Sequence, residues 1–270
     1  MEERRMRHLL IPDTQILPGV CVNHLNALGN FIVEKQPEVI VCIGDFADMH
    51  SLSSYDMGRR SGEGARYEED INASKAAMET LLAPLHAYNH RRRRNKEKMY
   101  RPRMVMTLGN HENRINRHVD SYPVLEGRLS TDDLGFKEAG WEVYPFLEVV
   151  DIDGILYSHY FPRNADGNIV QTNRGAPNAR TQVQREQQSC TSGHKQGLSF
   201  HVQQLQNRRH YGLMAGSFYL HDCDYLSPQG TAYWRGIILK ENVREGEYDP
   251  VFIRDDNLID RYWDGKHVTV

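Results

Sequence analysis

Val39-Ile40-Val41-Cys42-Ile43-Gly44-Asp45-Phe46-Ala47-Asp48 is the stretch on which the fold turns. Its first five residues are an unbroken apolar, mostly β-branched run, the composition of a strand buried on both faces of a parallel sheet. Gly44-Asp45 then closes the run with a polar turn. On the N-terminal side, Cys21 to Lys35 carries Leu25, Leu28, Phe31 and Ile32 at helical spacing and stops before Pro37. Before that, His8-Leu9-Leu10-Ile11 reads as a strand ending at Pro12-Asp13. On the C-terminal side, a helical and basic insertion over 66–103, with its helix from Tyr67 to Asn95, leads to a third strand, Met104 to Leu108, closed by Gly109-Asn110. Strand and helix alternate, so the chain is of the α/β class. Each buried strand ends in polar residues, and in open α/β sheets the carboxyl ends of the strands form the ligand-binding edge.

The second half is patterned differently. A strand is expected over Val143 to Val150, and Ile152-Asp153-Gly154-Ile155 leads into Leu156 to His159 through an Asp-Gly hairpin turn. Asn164 to Asn178 reads as a loop, Thr181 to Gln188 as a short helix, and Leu213 to Ala215, Ala232 to Leu239 and Val251 to Ile253 as strands. No repeat or low-complexity linker divides the chain, so residues 1–270 are expected to form one domain.

Composition excludes several classes. With 39% hydrophobic and 26% charged residues the 270-residue chain is neither disordered nor fibrous. Its longest apolar run, Val39 to Ile43, falls far short of the roughly 20 residues of a membrane helix, so no membrane partner is expected. The stretch Leu9-Leu10-Ile11-Pro12 is too short for a secretory signal. Cys21, Cys42, Cys190 and Cys223 form no Cys-x-x-Cys pair, against a zinc ribbon or a disulfide scaffold and in keeping with a reducing cytoplasm. The 33 basic and 36 acidic residues leave a formal charge of -3, which announces no general polyanion binder.

Four clusters at strand ends carry candidate chemistry: Pro12-Asp13-Thr14-Gln15, Gly44-Asp45-Phe46-Ala47-Asp48, Gly109-Asn110-His111-Glu112 and Gly193-His194-Lys195-Gln196, with Ser158-His159 between the last two. Any one alone reads as an ordinary turn or helix cap. As an ordered set they resemble the calcineurin-like metallophosphoesterase superfamily, whose signature runs D-x-H, G-D-x-x-D, G-N-H-[DE], a strand-end His and G-H-x-H. The resemblance spans Asp13 to Gln196, with Gln15 and Gln196 standing where the pattern has histidine.

The resemblance implies a four-layer sandwich, two packed mixed β-sheets flanked by helices, with two divalent metal ions at the strand ends. By the same carry-over Asp45 bridges the ions, Asp13, Gln15 and Gln196 complete one site, and Asn110, His159 and His194 the other. The two glutamines make the first set oxygen-only, which favours Mn²⁺ or Mg²⁺ over Fe²⁺ or Zn²⁺. His111 takes the part of proton donor to the leaving group and Asp48 orients it. The implied reaction is hydrolysis of a phosphoester.

The substrate is less determined. Asp48-Met49-His50 replaces the Asp-Arg-Gly of protein phosphatases. Arg114 and Arg117 are candidate ligands for phosphate oxygens, or else lie on a solvated helix face. The basic run Arg91, Arg92, Arg93, Arg94, Lys96, Lys98, Arg101 and Arg103 suits a DNA or RNA backbone, with Tyr88, Tyr100 and Tyr122 nearby as candidate stacking rings. Arg163 to Arg180 is long enough to form a lid. Gly216-Ser217, Asp222 to Tyr225 and Tyr233-Trp234-Arg235-Gly236 are similar to a late pattern in phosphoesterases encoded by bacteriophages, which would place the protein in a host cytoplasm. The expectation is therefore a phosphodiesterase or nuclease. A phosphomonoesterase acting on nucleotides or proteins, and a non-catalytic metal-binding scaffold, stand as alternatives.

Overall fold

Val39–Cys42 forms strand β2, buried at every residue, and it lies near the middle of a sheet with parallel neighbours on both sides. The computed structural model describes residues 6–162, 175–221 and 233–270. β1 (Met6–Ile11), β2, β3 (Arg103–Thr107) and β4 (Glu142–Tyr144) run parallel, and β10 (Gly236–Arg244) and β11 (Glu247–Arg254) extend the sheet antiparallel beyond β1. A second mixed sheet has the order β5 (Val150–Ile152), β6 (Ile155–Tyr157), β7 (Ser189–Ser192), β9 (Arg209–Ala215), β8 (Leu198–Gln204).

Alternation along the strands sorts side chains into layers. Leu9, Ile11, Ile40 and Cys42 pack on helices α1 (Asn23–Lys35), α2 (Tyr67–Arg94) and α5 (Asp255–Tyr262). Leu10, Val41, Ile43 and Val105 face the other way, onto Val150, Ile155, Tyr157 and Leu213 of the second sheet. Behind that sheet, Val183 of α4 (Ala179–Glu186) packs with Phe161 and Cys190. The result is the expected layering of helices, sheet, sheet and helix. A buried lysine also pins the two sheets together. Lys240 of β10 is fully buried and donates to Tyr157 Oη at 3.0 Å and Thr191 Oγ1 at 2.6 Å. That fixes β6 and β7 against the first sheet just before His159 and His194 leave their ends.

Two expectations are corrected. The single strand over Val143 to Val150 is divided, β4 belonging to one sheet and β5 to the other. A turn closed by Glu148 N–H donating to Pro145 O at 3.0 Å carries the chain across, because proline cannot continue the ladder as a donor. The strand expected at Ala232 to Leu239 is displaced to Gly236–Arg244. Of the lid expected over Arg163 to Arg180, residues 163–174 lie outside the described residues, and Ala179 and Arg180 open α4. Asp222 to Tyr225 lie outside as well.

Candidate metal centre

β1, β2, β3, β6 and β7 are parallel within their sheets, and the loops after them meet at one edge. Asp13, just past β1, pairs through its backbone with Ser217, just past β9, which ties the two sheets together at that edge. Four side chains of these loops sit on left-handed backbone: Gln15 (φ 44°), Asp45 (φ 51°), Met49 (φ 55°) and His194 (φ 64°). Such conformations are strained for L residues and gather at functional sites. Around His194 the strain takes the form of a tight turn, with Lys195 N–H donating to Gly193 O at 2.7 Å.

The motif glycines are there because nothing larger fits. A Cβ on Gly109 would collide with Asp45 Oδ1, and one on Gly193 with Asp13 Oδ1. The backbone must come this close for its N–H groups to hold the carboxylates: His111 N–H donates to Asp45 Oδ1 at 2.9 Å and His194 N–H to Asp13 Oδ1 at 3.1 Å.

Asp45, His159 and His194 each offer a ligand atom within 4.8 Å of the others, so they could hold a cation. His159 Nδ1 donates to Ile43 O at 2.8 Å. That bond fixes the ring with Nε2 facing Asp45 Oδ2 at 3.2 Å and Asn110 Oδ1 at 3.0 Å. Burial alone would lower the His159 pKa, but the carboxylates of Asp45 and Asp13 outweigh it and push it up to about 9. In Asp45 burial favours the neutral acid, and the His111 and His159 imidazoles reverse this and hold it well below the usual carboxylate range. Asp13 is raised to about 7, chiefly by burial. Its Oδ2 is buried with no hydrogen-bond partner. An unpartnered carboxylate oxygen beside a second carboxylate and two imidazoles is a donor set that fits a divalent cation.

Gln15 and Gln196 both line the cleft. Gln15 is held by its backbone N–H, which donates to Asp45 O at 2.8 Å. The amide oxygen of Gln196 accepts from Tyr219 Oη at 2.7 Å. A carbonyl oxygen has two lone pairs, so this bond is compatible with a second partner.

His111 and Asp48 come together as the sequence pattern leads one to expect. Asp48 Oδ2 lies 3.1 Å from His111 Nδ1, and His111 Nε2 lies 3.7 Å from Asp45 Oδ2. Burial works against the imidazolium, yet Asp45 and Asp48 together raise the His111 pKa above its ordinary value. Arg114 lines the cleft. Its Nη1 donates to Asp48 Oδ1 at 3.0 Å and to Asp48 O at 2.9 Å, so one arm of the guanidinium anchors the carboxylate that holds His111. Arg117 is exposed and lines the cleft.

Glu112 has no role in the sequence pattern beyond its place beside His111, but it is fully buried and ties the loops together. Its carboxylate accepts from the N–H groups of Asp45 at 3.0 Å, Ala47 at 2.9 Å and Gly109 at 2.7 Å. Its adjacency to His111 is the one signal in the sequence, since an acid facing solvent would need no such company.

The basic run lies elsewhere. Arg91 to Arg94 form the last turn of α2, whose first turns supply Glu69 and Asp70 to the cleft. From Asp70 to Arg91 the helix runs about 30 Å at 1.5 Å per residue. Tyr88 and Tyr100 are occupied as well: Gln36 Nε2 donates to the Tyr88 hydroxyl, and the Tyr100 hydroxyl donates to Pro37 O. Neither these tyrosines nor Tyr122 lines the cleft.

Cys21, Cys42 and Cys190 are free thiols, and no helix among the described residues is long and apolar enough to cross a membrane. The chain matches no protein-family model and no characterised protein by sequence.

Proposed function

We propose that the protein is a metal-dependent phosphoesterase acting on phosphodiesters, with Asp45, Asn110, His159 and His194 holding one divalent cation and Asp13, Gln15, Asp45 and Gln196 a second. One observation carries the reading: the Asp48–His111 pair, at 3.1 Å, points its other ring nitrogen toward the same Asp45 oxygen that faces His159. A scaffold that only bound metal would have no use for a buried, carboxylate-held imidazole at that place.

Bound divalent cations supply positive charge to the phosphoryl oxygens and make water a competent nucleophile near neutral pH. The residues of the chain do the rest. Asp48 faces Nδ1 and favours the imidazolium, so an Nε2–H can be delivered to the departing ester oxygen. Arg114 keeps Asp48 in place. Glu112 keeps the backbone of Asp45, Ala47 and Gly109 in register, and so the carboxylate of Asp45 at its station. The cleft, about 1670 Å³, is roomier than the roughly 300–1,000 Å³ of ordinary small-molecule pockets, which favours a substrate with groups on both sides of the phosphate.

The test is hydrolysis of an aryl phosphate diester beside the corresponding monoester, in chelator-treated protein given back Mn²⁺ or Zn²⁺. The expected result is faster diester hydrolysis, with Mn²⁺ restoring more activity than Zn²⁺ because oxygen donors dominate one site. Faster monoester hydrolysis would make it a phosphomonoesterase. Metal binding with no hydrolysis of either ester would make it a scaffold.

A further inference from the structure

Phe146 and Tyr160 line the cleft, are half-buried, and belong to none of the hydrophobic clusters that hold the layers together. Their ring centroids are 5.5 Å apart and nearly perpendicular. Tyr160 lies 4.9 Å from the His194 ring and 6.0 Å from the His159 ring, and Phe146 lies 6.3 Å from His159. Two aromatic side chains thus stand directly beside the two histidines of the candidate metal group.

Local backbone keeps Phe146 there. It is the second residue of the turn that carries the chain from β4 to β5, and the next residue, Leu147, has φ 68°. Glycine is the residue favoured at such a position, so a leucine there marks a turn held by its surroundings rather than by its own preference. Lys195 and Arg117 line the same cleft and bring positive charge for a phosphate backbone.

We infer that Phe146 and Tyr160 form a shelf for a nucleobase, one ring stacking on its face and the other, nearly perpendicular, bordering its edge, so that the substrate is a nucleotide phosphodiester with a base next to the scissile phosphate. This rests on the phosphodiesterase reading above. A phosphate held at His159 and His194 has its own sugar and base as the nearest bulky groups, and the shelf is one ring away from those histidines. An aromatic surface stacks any of the bases, because every base has a π face. The site therefore distinguishes base from no base rather than one base from another.

The test uses the full chain loaded with Mn²⁺ and dinucleotide phosphodiesters with both bases present, one base removed, or both removed. Base-bearing substrates are expected to have kcat/KM higher by about fivefold or more, the usual worth of one stacked base, with the difference in KM and little order among the bases. Phe146→Leu and Tyr160→Leu should bring the ratio of base-bearing to abasic kcat/KM toward one. Equilibrium binding of adenosine 5′-monophosphate against ribose 5-phosphate, by calorimetry, gives the same comparison without turnover, and the nucleotide should bind more tightly by a similar factor. Equal kcat/KM for all three diesters, with equal binding of the two monophosphates, overturns the shelf and leaves the phosphodiesterase reading standing. Should no diester be hydrolysed, the phosphodiesterase reading fails and the binding comparison alone decides the shelf. Variants that fold poorly do not affect the comparison in the wild-type protein.

Discussion

Asp48 Oδ2 and His111 Nδ1 lie 3.1 Å apart, both side chains more than nine-tenths buried, at the ends of strands β2 and β3. A pair so placed does its work at the other nitrogen. Replacing His111 with asparagine should leave metal binding intact, since no ligand is touched. Turnover of a diester with an alkyl leaving group should fall by about 10²- to 10⁴-fold, the usual worth of a general acid. An aryl diester, whose leaving group departs without a proton, should lose far less. Equal losses on the two substrates would falsify the proton-donor role.

Glu112 tests the architecture behind that chemistry. Removing its carboxylate with Glu112→Ala leaves the buried N–H groups of Asp45, Ala47 and Gly109 without their acceptor. At about 1–3 kcal/mol for each stranded group, partly relieved by relaxation, a loss of about 3–5 kcal/mol is expected from denaturant unfolding. Glu112→Gln keeps one acceptor oxygen and should lose less. A drop below about 1 kcal/mol for the alanine variant would show that water or a neighbouring group takes over the three donors.

Much of this is legible in the sequence, and the limits have physical causes. Residues 9–11, 39–42 and 105–107 are buried on both faces, and the apolar runs around them mark β1, β2 and β3. Asp153-Gly154 marks the β5–β6 hairpin through its turn chemistry, and the helix of Asn23–Lys35 follows from the spacing of Leu25, Leu28, Phe31 and Ile32. Ser189–Ser192 escapes a sequence reading because Ser-Cys-Thr-Ser has no apolar signature, yet all four residues are buried. Their hydroxyls find partners inside: Thr191 accepts from Lys240, Ser192 donates to Gln182, and Ser189 accepts from the Tyr211 N–H. The site residues are legible as a set because strand-end loops concentrate them. Phe146 and Tyr160 are not, because aromatic rings in loops leave no trace in spacing, and of Glu112 the sequence shows only its place in the Gly-Asn-His-Glu motif, not the main-chain amides it holds.

The histidines buried outside the site predict how stability varies with pH. His24 of α1 is 1% exposed and stands edge-on to Phe218, and burial lowers its pKa from the ordinary 6.5 to about 3. A base whose folded pKa is depressed is neutral in the native state while the unfolded chain takes up the proton. Its contribution is thus complete above pH 6.5 and is lost as pH falls from there toward 3. From pH 8 to pH 5 the loss from this group alone is about 2 kcal/mol. His8, lowered to about 4 chiefly by burial, acts in the same direction. Urea unfolding of the wild type and His24→Leu at pH 8, 6.5 and 5 should show a shallower decline in the variant. Parallel declines would mean that His24 is solvated, or already charged, in the folded protein.

The basic run poses the last question, and its position turns it into one about substrate length. Arg92 is engaged with Glu97 at 2.6 Å and with Lys98 O at 2.9 Å, while Arg91, Arg93 and Arg94 are exposed at the C-terminal end of α2, where the helix dipole favours cations. The dipole alone accounts for the run without any ligand. If it also holds a nucleic-acid backbone, that backbone must follow the roughly 30 Å of α2 between Arg91 and the cleft-lining Asp70, which takes roughly nine base pairs at about 3.4 Å each. Replacing Arg91, Arg92, Arg93 and Arg94 with serine should therefore leave a tetranucleotide untouched in both affinity and hydrolysis. A duplex of thirty base pairs should bind more weakly, and the slope of its log affinity against log salt should flatten by about 0.9 for each phosphate that the arginines no longer neutralise. An equal loss on the tetranucleotide would place the run beside the catalytic cleft, against the geometry of α2. No change on the long duplex would leave the arginines as counter-charges to a helix end, and the polyanion would then be held by the cleft alone.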